Sequence, residues 1–484
     1  MGIQLKIIYR LVGFLFMAFS PILLTPIVVS LWYQDGMAWY FIISLVVQFM
    51  IGLLIWMPHR KHKQELRRRE GFLIVVIFWV LLSILGASIF VFALKLSYVD
   101  ALFESVSGLT TTGATILSSL DNLAPSILFY RQELQWFGGM GLIMLAVAIM
   151  PMLGIGGMML YRAETPGPMK EEKLTPRLMH TAKYLWMLYV GLTLVCAIAF
   201  WIAGMTPFDA ISHSLSTLST GGFSTHDASM GYFNSTSIDI IAIIFMLLGG
   251  INFSIHYLAL HNRSLKYYFI NTEVRVFLTF VGFMIFIVSL TLYLTNYDTN
   301  LFDEVKNASF EVVSIVTSTG YGVSDFSKWP LFLPVLMIFI SFVGGCGGST
   351  AGGMKVMRIT LLFKLGWREI LQLLHSKAIF PIKFGGRNIS RNTLQGIWGF
   401  FSIYVMTFVI LMLLMMMVSG QGQVTSFSAV ATCMNNLGPG LGAVTLTFDT
   451  LNDGGKLIAI IAMLLGRLEV VSVLVLLHPE FWRA

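Results

Sequence analysis

The residues best suited to chemistry in this sequence are hydroxyl side chains followed by glycine. One stretch reads Phe103-Glu104-Ser105-Val106-Ser107-Gly108-Leu109-Thr110-Thr111-Thr112-Gly113. A second reads Phe310-Glu311-Val312-Val313-Ser314-Ile315-Val316-Thr317-Ser318-Thr319-Gly320, identical to the first at seven of eleven positions. Between them lies Ser216-Thr217-Leu218-Ser219-Thr220-Gly221-Gly222, and after them Ala431-Thr432-Cys433-Met434-Asn435-Asn436-Leu437-Gly438-Pro439-Gly440. The glycines at 113, 221, 320 and 438 are 108, 99 and 118 residues apart, which marks a fourfold internal repeat. A cation leaving water needs its oxygen ligands replaced, and carbonyls with hydroxyls do so without burying a fixed charge. Glycine reaches left-handed backbone at no steric cost, so consecutive carbonyls can face one side. The stretches Thr110 to Gly113, Ser219 to Gly221 and Thr317 to Gly320 fit that chemistry. One such triplet is a common turn; four in register, each between two apolar spans, imply pore loops around one axis.

The elements that must position these loops are membrane helices. The chain has 484 residues, of which 56% are hydrophobic and 11% charged, with a mean hydropathy of +0.80. Soluble domains carry about 25% charged residues, so the composition excludes an ordinary soluble protein. Apolar runs of helix length lie near 11–32, 38–57, 71–95, 134–160, 183–204, 237–260, 274–295, 331–361 (interrupted), 396–418 and 456–478. At about 20 residues per span these predict ten crossings. The first run is followed by many others, which argues against a cleaved signal peptide. Alternating the loops puts 25 of the 31 Lys and Arg on one face. The positive-inside rule then predicts both termini in the cytoplasm and all four glycine stretches outside. The net charge of +7 is thus a property of loops, not a nucleic-acid surface. Cys196, Cys346 and Cys433 sit in or beside apolar segments with no metal-ligand spacing.

Residues 1–70 are read as a helix pair with a basic, lipid-headgroup-facing cytoplasmic loop containing His59-Arg60-Lys61-His62-Lys63. Four repeats follow, at 71–182, 183–272, 273–394 and 395–484. Each runs helix, re-entrant stretch too short to span, helix. Irregular backbone at membrane depth is tolerated only when buried or lining a cavity, so four such stretches need a shared aqueous centre. The expected fold is an all-α polytopic membrane protein with four helix–pore-loop–helix repeats in pseudo-fourfold arrangement, plus the extra N-terminal pair. A glycine recurs in each second helix, at 138, 249, 344 and 466. Close helix packing and a bend in the pore-lining helix both explain it. Glu104, Asp209, Asp303 and Glu311 are expected near the starts of the pore helices, where the helix dipole favours carboxylates. With 15 of the 24 Asp and Glu outside, that face attracts cations.

Two features lie below the expected loops. Gly344-Gly345-Cys346-Gly347-Gly348-Ser349-Thr350-Ala351-Gly352-Gly353 cannot hold a stable helix, at about 1 kcal/mol per glycine relative to alanine. It lacks the Gly-Lys-Ser/Thr ending of a phosphate cradle, since Lys355 follows Gly353-Met354 and leads into a helix. Arg467 stands in the middle of the apolar run 456–478. A membrane-buried arginine needs a partner. Glu469, two residues on, points elsewhere on a helix, which leaves the carbonyls of 344–353 as the better candidates. A solute transporter built on broken helices would explain the glycine break but predicts one or two breaks near midplane, not four loops at one face. A membrane enzyme needs a dyad or Ser-His pair at depth; His213 is lone and reads as structural.

These motifs resemble the TrkH family, the membrane subunits of bacterial Trk potassium-uptake systems, in the superfamily that also holds KtrB and plant HKT transporters. The likeness covers 71–484 as four repeats, with the 1–57 helix pair also expected. It implies potassium-selective uptake across the bacterial inner membrane, with potassium as the transported ligand and no cofactor in this chain. The implied ligands are backbone oxygens at and just before each motif glycine: Thr111, Thr112 and Gly113; Ser219, Thr220 and Gly221; Ser318, Thr319 and Gly320; Asn435, Asn436, Leu437 and Gly438. The fourth stretch departs from the pattern, having no Thr before its glycine. The resemblance also implies a gate made of Gly344, Gly345, Gly347, Gly348, Ser349, Thr350, Gly352, Gly353 and Arg467. It implies control by a cytosolic nucleotide-binding ring, TrkA, and assembly as a homodimer.

Overall fold

The computed structural model describes residues 5–62, 68–153, 178–297 and 300–483. Most of the basic loop 161–182, the tail of the run 134–160 and part of the basic run near 63–67 lie outside them.

The N-terminal pair consists of Leu5–Phe19, continued through a short 3-10 turn by Leu24–Tyr33, and Ala38–His59. Apolar side chains alone do not hold helices together in lipid, so close approach through small residues matters. Gly13 and Gly52 supply it: a Cβ on Gly13 would lie 2.7 Å from the Gly52 carbonyl oxygen, and the reverse distance is 2.8 Å. The pair packs on the first repeat in one cluster, with Leu15, Phe16 and Phe41 against Phe78 and Tyr130.

Four repeats follow. In the first, Arg68–Leu94 leads to the short helix Tyr98–Leu109 and then to Pro125–Leu153. In the second, Leu178–Ile202 leads to Pro207–Leu218 and then to Thr236–Gly250 with Phe253–His261. In the third, Thr272–Leu294 leads to Leu301–Val316 and then to Leu333–Ser341 and Val356–Leu374. In the fourth, Arg391–Ser419 leads to Gln423–Met434 and then to Asp453–Leu468 with Val470–Leu477. The first short helix has 12 residues, about 18 Å at 1.5 Å per residue, against a bilayer core of about 30 Å. Three of the four short helices start at a side-chain cap: Ser97, Thr206 and Asn300 accept from the amides of Asp100, Asp209 and Phe302. One core cluster joins the second and third repeats through Leu218, Phe277 and Phe310. Another joins the first to the fourth through Phe103, Val106, Ala459 and Met463, which closes the ring. Outward-facing Val195, Ile198, Phe283, Phe286, Leu413 and Met417 stay exposed, as a lipid-facing belt requires.

Six described helices are long and apolar enough to cross a membrane, or up to eight if each bent pair is one span. The bent pairs show that the apolar runs 237–260 and 456–478 each break once. Thr236–Gly250 and Phe253–His261 meet at 100°, and Asp453–Leu468 and Val470–Leu477 at 110°. The first break follows Gly249-Gly250 and restarts at Asn252, whose side chain caps the next helix through the Ser254 amide. The second falls on Glu469, whose φ is +61°. The expected interruption in 331–361 is present, with no helix between Ser341 and Val356. A two-residue hairpin, Lys383–Phe384 with Arg387–Asn388, also forms in the loop before residue 391. Its turn is Gly385-Gly386, both with positive φ.

Candidate ion pathway

Each short helix ends in the same hydrogen-bonded turn, and that turn fixes the register of the four loops. In the first repeat the amides of Thr110, Thr111 and Thr112 donate to the carbonyls of Val106, Gly108 and Ser107. The same pattern recurs for Ser219, Thr220 and Gly221, for Thr317, Ser318 and Thr319, and for Asn435, Asn436 and Leu437. The middle residue of each trio has positive φ: Thr111 +54°, Thr220 +52°, Ser318 +53° and Asn436 +52°. Such a conformation is disfavoured for side-chain-bearing residues and persists where surrounding bonds impose it. The residue after each trio is a glycine with φ of +78° to +95°: Gly113, Gly222, Gly320 and Gly438. This corrects the sequence register in the second repeat. Gly222 matches the other three glycines, and Gly221 takes the place held elsewhere by Thr112, Thr319 and Leu437.

These glycines close a ring. A Cβ on Gly113 would fall on the carbonyl oxygen of Gly221, one on Gly222 on that of Thr319, and one on Gly320 on that of Leu437. On Gly438 it would lie 2.8 Å from the carbonyl oxygen of Thr112. Each loop thus presses its glycine against the next loop's preceding carbonyl, in cyclic order one to four and back to one. No side chain fits at any of the four positions.

Behind the ring, buried polar groups hold the chain as it leaves each glycine. Glu104, which is buried, accepts from the Ile116 amide at 3.1 Å and from Arg131 Nε at 2.7 Å. Glu311 accepts from the amides of Val323 and Ser324 at 2.8 and 3.0 Å. Nine residues before Gly222 stands His213, whose Nε2 is 3.0 Å from Ser224 Oγ. In the fourth repeat Ser428 Oγ accepts from the Leu441 amide at 2.9 Å. Glu104 and Glu311 therefore brace the loops from mid-helix and do not sit at the helix starts as expected; Asp209 and Asp303 do lie in first turns.

The hydroxyls of Thr110 and Thr112 are 2.7 Å apart, and those of Thr317 and Thr319 are 2.8 Å apart. In the divergent fourth loop amides replace them. Asn435 bonds Tyr404 and Ser341, and Asn436 donates to Thr112 Oγ1 and to the Met463 carbonyl.

Immediately below lies the segment between Ser341 and Val356. The Cys346 and Thr350 amides donate to the carbonyls of Gly250 and Gly249, at 2.9 and 3.3 Å. The Gly347 amide reaches Glu273 at 2.7 Å, and the Gly352 amide reaches Ser318 Oγ at 2.5 Å. Gly353 donates to the Asn435 carbonyl at 3.2 Å, and Thr220 Oγ1 meets Thr350 Oγ1 at 3.2 Å. Gly344, Gly348 and Gly353 have positive φ, and a Cβ on Gly345 would sit 2.7 Å from that of Ala351. Ser349 Oγ closes a local turn on the Cys346 carbonyl. Arg467 Nη1 donates to the Thr350 carbonyl and to Thr111 Oγ1, each at 3.1 Å, and Nη2 donates to the Gly138 carbonyl at 2.6 Å. Glu469 pairs instead with Arg358 at 2.9 Å. The helix glycines divide: Gly138, Gly249 and Gly466 each abut the carbonyl that ends their own repeat's short helix, at Leu109, Leu218 and Met434, whereas Gly344 abuts Gly352 of its own segment.

His226 joins the first two loops. Its Nδ1 is 2.5 Å from Asp121 and its Nε2 3.4 Å from Asp209, with the ring stacked on Tyr232. The His226 hydrogen bond holds the Asp121 carboxyl below its ordinary range. Burial alone would lower His226, but the neighbouring carboxylates of Asp209 and Asp121 outweigh that and raise it. Three positions escaped the sequence reading: Gly222, Arg131 and Gln135. For Gly222 a signal existed, since only that register puts His213 level with Glu104 and Glu311. Arg131 and Gln135 are buried polar residues at helical spacing on a membrane helix, which is also a signal.

The TrkH family model, described as a cation transport protein, matches residues 39–483. The chain is similar to the Trk system potassium uptake protein TrkH of Vibrio parahaemolyticus, 50% identical over 99% of this chain and 100% of the relative. It is 49% identical to TrkH and 40% identical to TrkG of Escherichia coli K12, covering 99% of both chains in each case. The crystal structure of the potassium transporter TrkH from Vibrio parahaemolyticus superposes with a TM-score of 0.91, at 48% identity, covering 99% of this chain and 100% of that one.

Proposed function

We propose, from the premise that this chain belongs to the TrkH family of cation transport proteins, that it carries potassium into a bacterial cell through the axis of its four-loop ring. The observation that carries this reading is the cyclic contact of Gly113, Gly222, Gly320 and Gly438 with the neighbouring carbonyls of Gly221, Thr319, Leu437 and Thr112. Carbonyls held at fixed spacing around an axis can replace the hydration shell of a desolvated cation. The segment 344–353 and Arg467 form the gate, because they occupy the layer directly beneath the ring and tie it to all four repeats. The basic loops face the cytoplasm of an inner-membrane protein. There they receive a nucleotide-binding regulatory subunit, and two copies of the chain associate in the membrane.

The test is cation flux into liposomes holding the purified chain, with potassium, rubidium and sodium compared at a set voltage beside a Gly320→Ser variant. Potassium and rubidium flux well above sodium, with the gap narrowed in the variant, is the expected result. Unchanged discrimination in the variant removes the ring as the pathway. Absence of flux in the bare chain points to an obligate cytosolic partner or to ion coupling.

A further inference from the structure

The four loops are not equivalent at one position. Where the first, third and fourth carry Thr112, Thr319 and Leu437, the second carries Gly221, with no side chain at all. The space is filled from another repeat. Gln135, fully buried in Pro125–Leu153, lies where a side chain on residue 221 would project: a Cβ built there would meet the Gln135 Cδ and, at 2.9 Å, its Cβ. Its Nε2 donates to the Gly221 carbonyl at 2.6 Å. Its Oε1 accepts from Ser216 Oγ at 2.5 Å and from the Phe223 amide at 3.1 Å. The amide orientation is fixed, because the Phe223 N–H can only donate and the Gly221 carbonyl can only accept. One helical turn earlier on the same face, Arg131 lies 4.1 Å over the Phe223 ring and donates to the Ser224 carbonyl at 3.3 Å. The first repeat's inner helix therefore grips the second loop on both sides of Gly222. The residues matching Gln135 three before Gly249 and Gly466 are Met246 and Met463, which cannot do this.

In the first and third loops the hydroxyls of Thr112 and Thr319 tie the loop to Thr110 and Thr317. The second loop has Ser219 at the corresponding place but nothing at 221 to meet it. We propose that Gln135 is a positioning residue for ion selectivity: it supplies to the second loop, from the first repeat, the side chain that position 221 lacks, and so fixes the Gly221 carbonyl in the ring. This rests on the reading that the ring is the ion pathway.

The experiment measures the potassium-to-sodium flux ratio in liposomes for Gln135→Leu, Gly221→Thr, the double variant Gln135→Gly with Gly221→Thr, and Gly320→Ser. Residue 221 does not have positive φ, so threonine can adopt its backbone there, and its hydroxyl can reach Ser219 once Gln135 is cut back. We expect Gln135→Leu to lower the ratio by about tenfold, the scale of one well-made buried hydrogen bond, while potassium flux persists. We expect Gly221→Thr alone to be impaired by collision with Gln135, and the double variant to regain discrimination. An unchanged ratio in Gln135→Leu beside a lowered ratio in Gly320→Ser overturns the proposal and leaves the pathway reading standing. No change in either overturns both. Loss of all flux in Gln135→Leu without recovery in the double variant shows a role in folding only, and also overturns it.

Discussion

The guanidinium of Arg467 lies 3.1 Å from the carbonyl oxygen of Thr350. The same nitrogen holds Thr111 Oγ1, so one side chain links the segment under the ring to the first loop of the ring itself. Replacing it by alanine removes these bonds together with the one to the Gly138 carbonyl. Buried acceptors left without their donor favour an arrangement in which the segment moves off them. Basal potassium flux through the reconstituted chain should rise several-fold in Arg467→Ala and less in Arg467→Lys, which keeps the charge but loses the fork geometry. Basal flux equal to that of the parent in Arg467→Ala would remove the gate assignment.

The register of the second loop makes Gly222 the sensitive glycine of its pair. A methyl there strikes the backbone carbonyl of Thr319 and must also adopt a φ of +82°. A methyl on Gly221 meets only the side chain of Gln135. Gly222→Ala should lower the potassium-to-sodium flux ratio, as Gly320→Ser does, and no change at Gln135 should restore it. Gly221→Ala should be partly active and improve with Gln135→Gly. The opposite ranking would return the register to Gly221.

The Glu104–Arg131 pair is almost fully buried, with side-chain exposures of 0% and 1%. Removing one member of such a pair leaves an uncompensated charge, a loss of about 3–5 kcal/mol. Glu104→Gln and Arg131→Met should each lower the thermal stability of the detergent-solubilised chain markedly, and the double variant should lose less than the two singles added together. Additive losses would mean that the two groups act separately, through Ile116 and Phe223.

Much of this arrangement is legible in the sequence because membrane depth constrains it strongly. Apolar runs announce the helices, and a block of glycines announces a segment that cannot be one. The carbonyl partner of Arg467 follows from Glu469 being two residues away. The second-loop register was not legible from the doublet Gly221-Gly222 alone, since the Ser219-Thr220 pair runs straight into two consecutive glycines. What decides it is the amide of Gly221 folding back on Ser216, a backbone bond that no side chain records. The two bent inner helices differ in the same way. Gly249-Gly250 with Asn252 carries a stop and a cap, whereas the break at Glu469 puts a non-glycine residue at φ +61° inside an apolar run and leaves no local mark. Apolar character specifies burial in lipid or protein, not straightness.

His226 should make the contact between the first two loops sensitive to pH. It sits between Asp121, at 2.5 Å from Nδ1, and Asp209, at 3.4 Å from Nε2; His213 is the other titratable ring nearby, and the neighbouring Asp227 accepts from the Leu120 amide. Its folded pKa is raised above the ordinary 6.5: burial opposes the charge, but the carboxylates of Asp209 and Asp121 beside the ring prevail. A group raised on folding contributes stability fully below its unfolded pKa and loses that contribution as pH rises through the folded one. Asp121, lowered by the same bond, keeps its share until pH falls through its own folded value, below the ordinary 3.8. The clamp between the first two loops is therefore strongest in mildly acidic medium and weakens toward alkaline pH. The melting temperature of the parent should exceed that of His226→Gln near about pH 6, and the difference should shrink by about pH 8. Asp121→Asn should remove most of the same pH dependence. Parallel pH profiles for the parent and His226→Gln would show that the imidazole binds both carboxylates without titrating, and the clamp would then be a fixed strut.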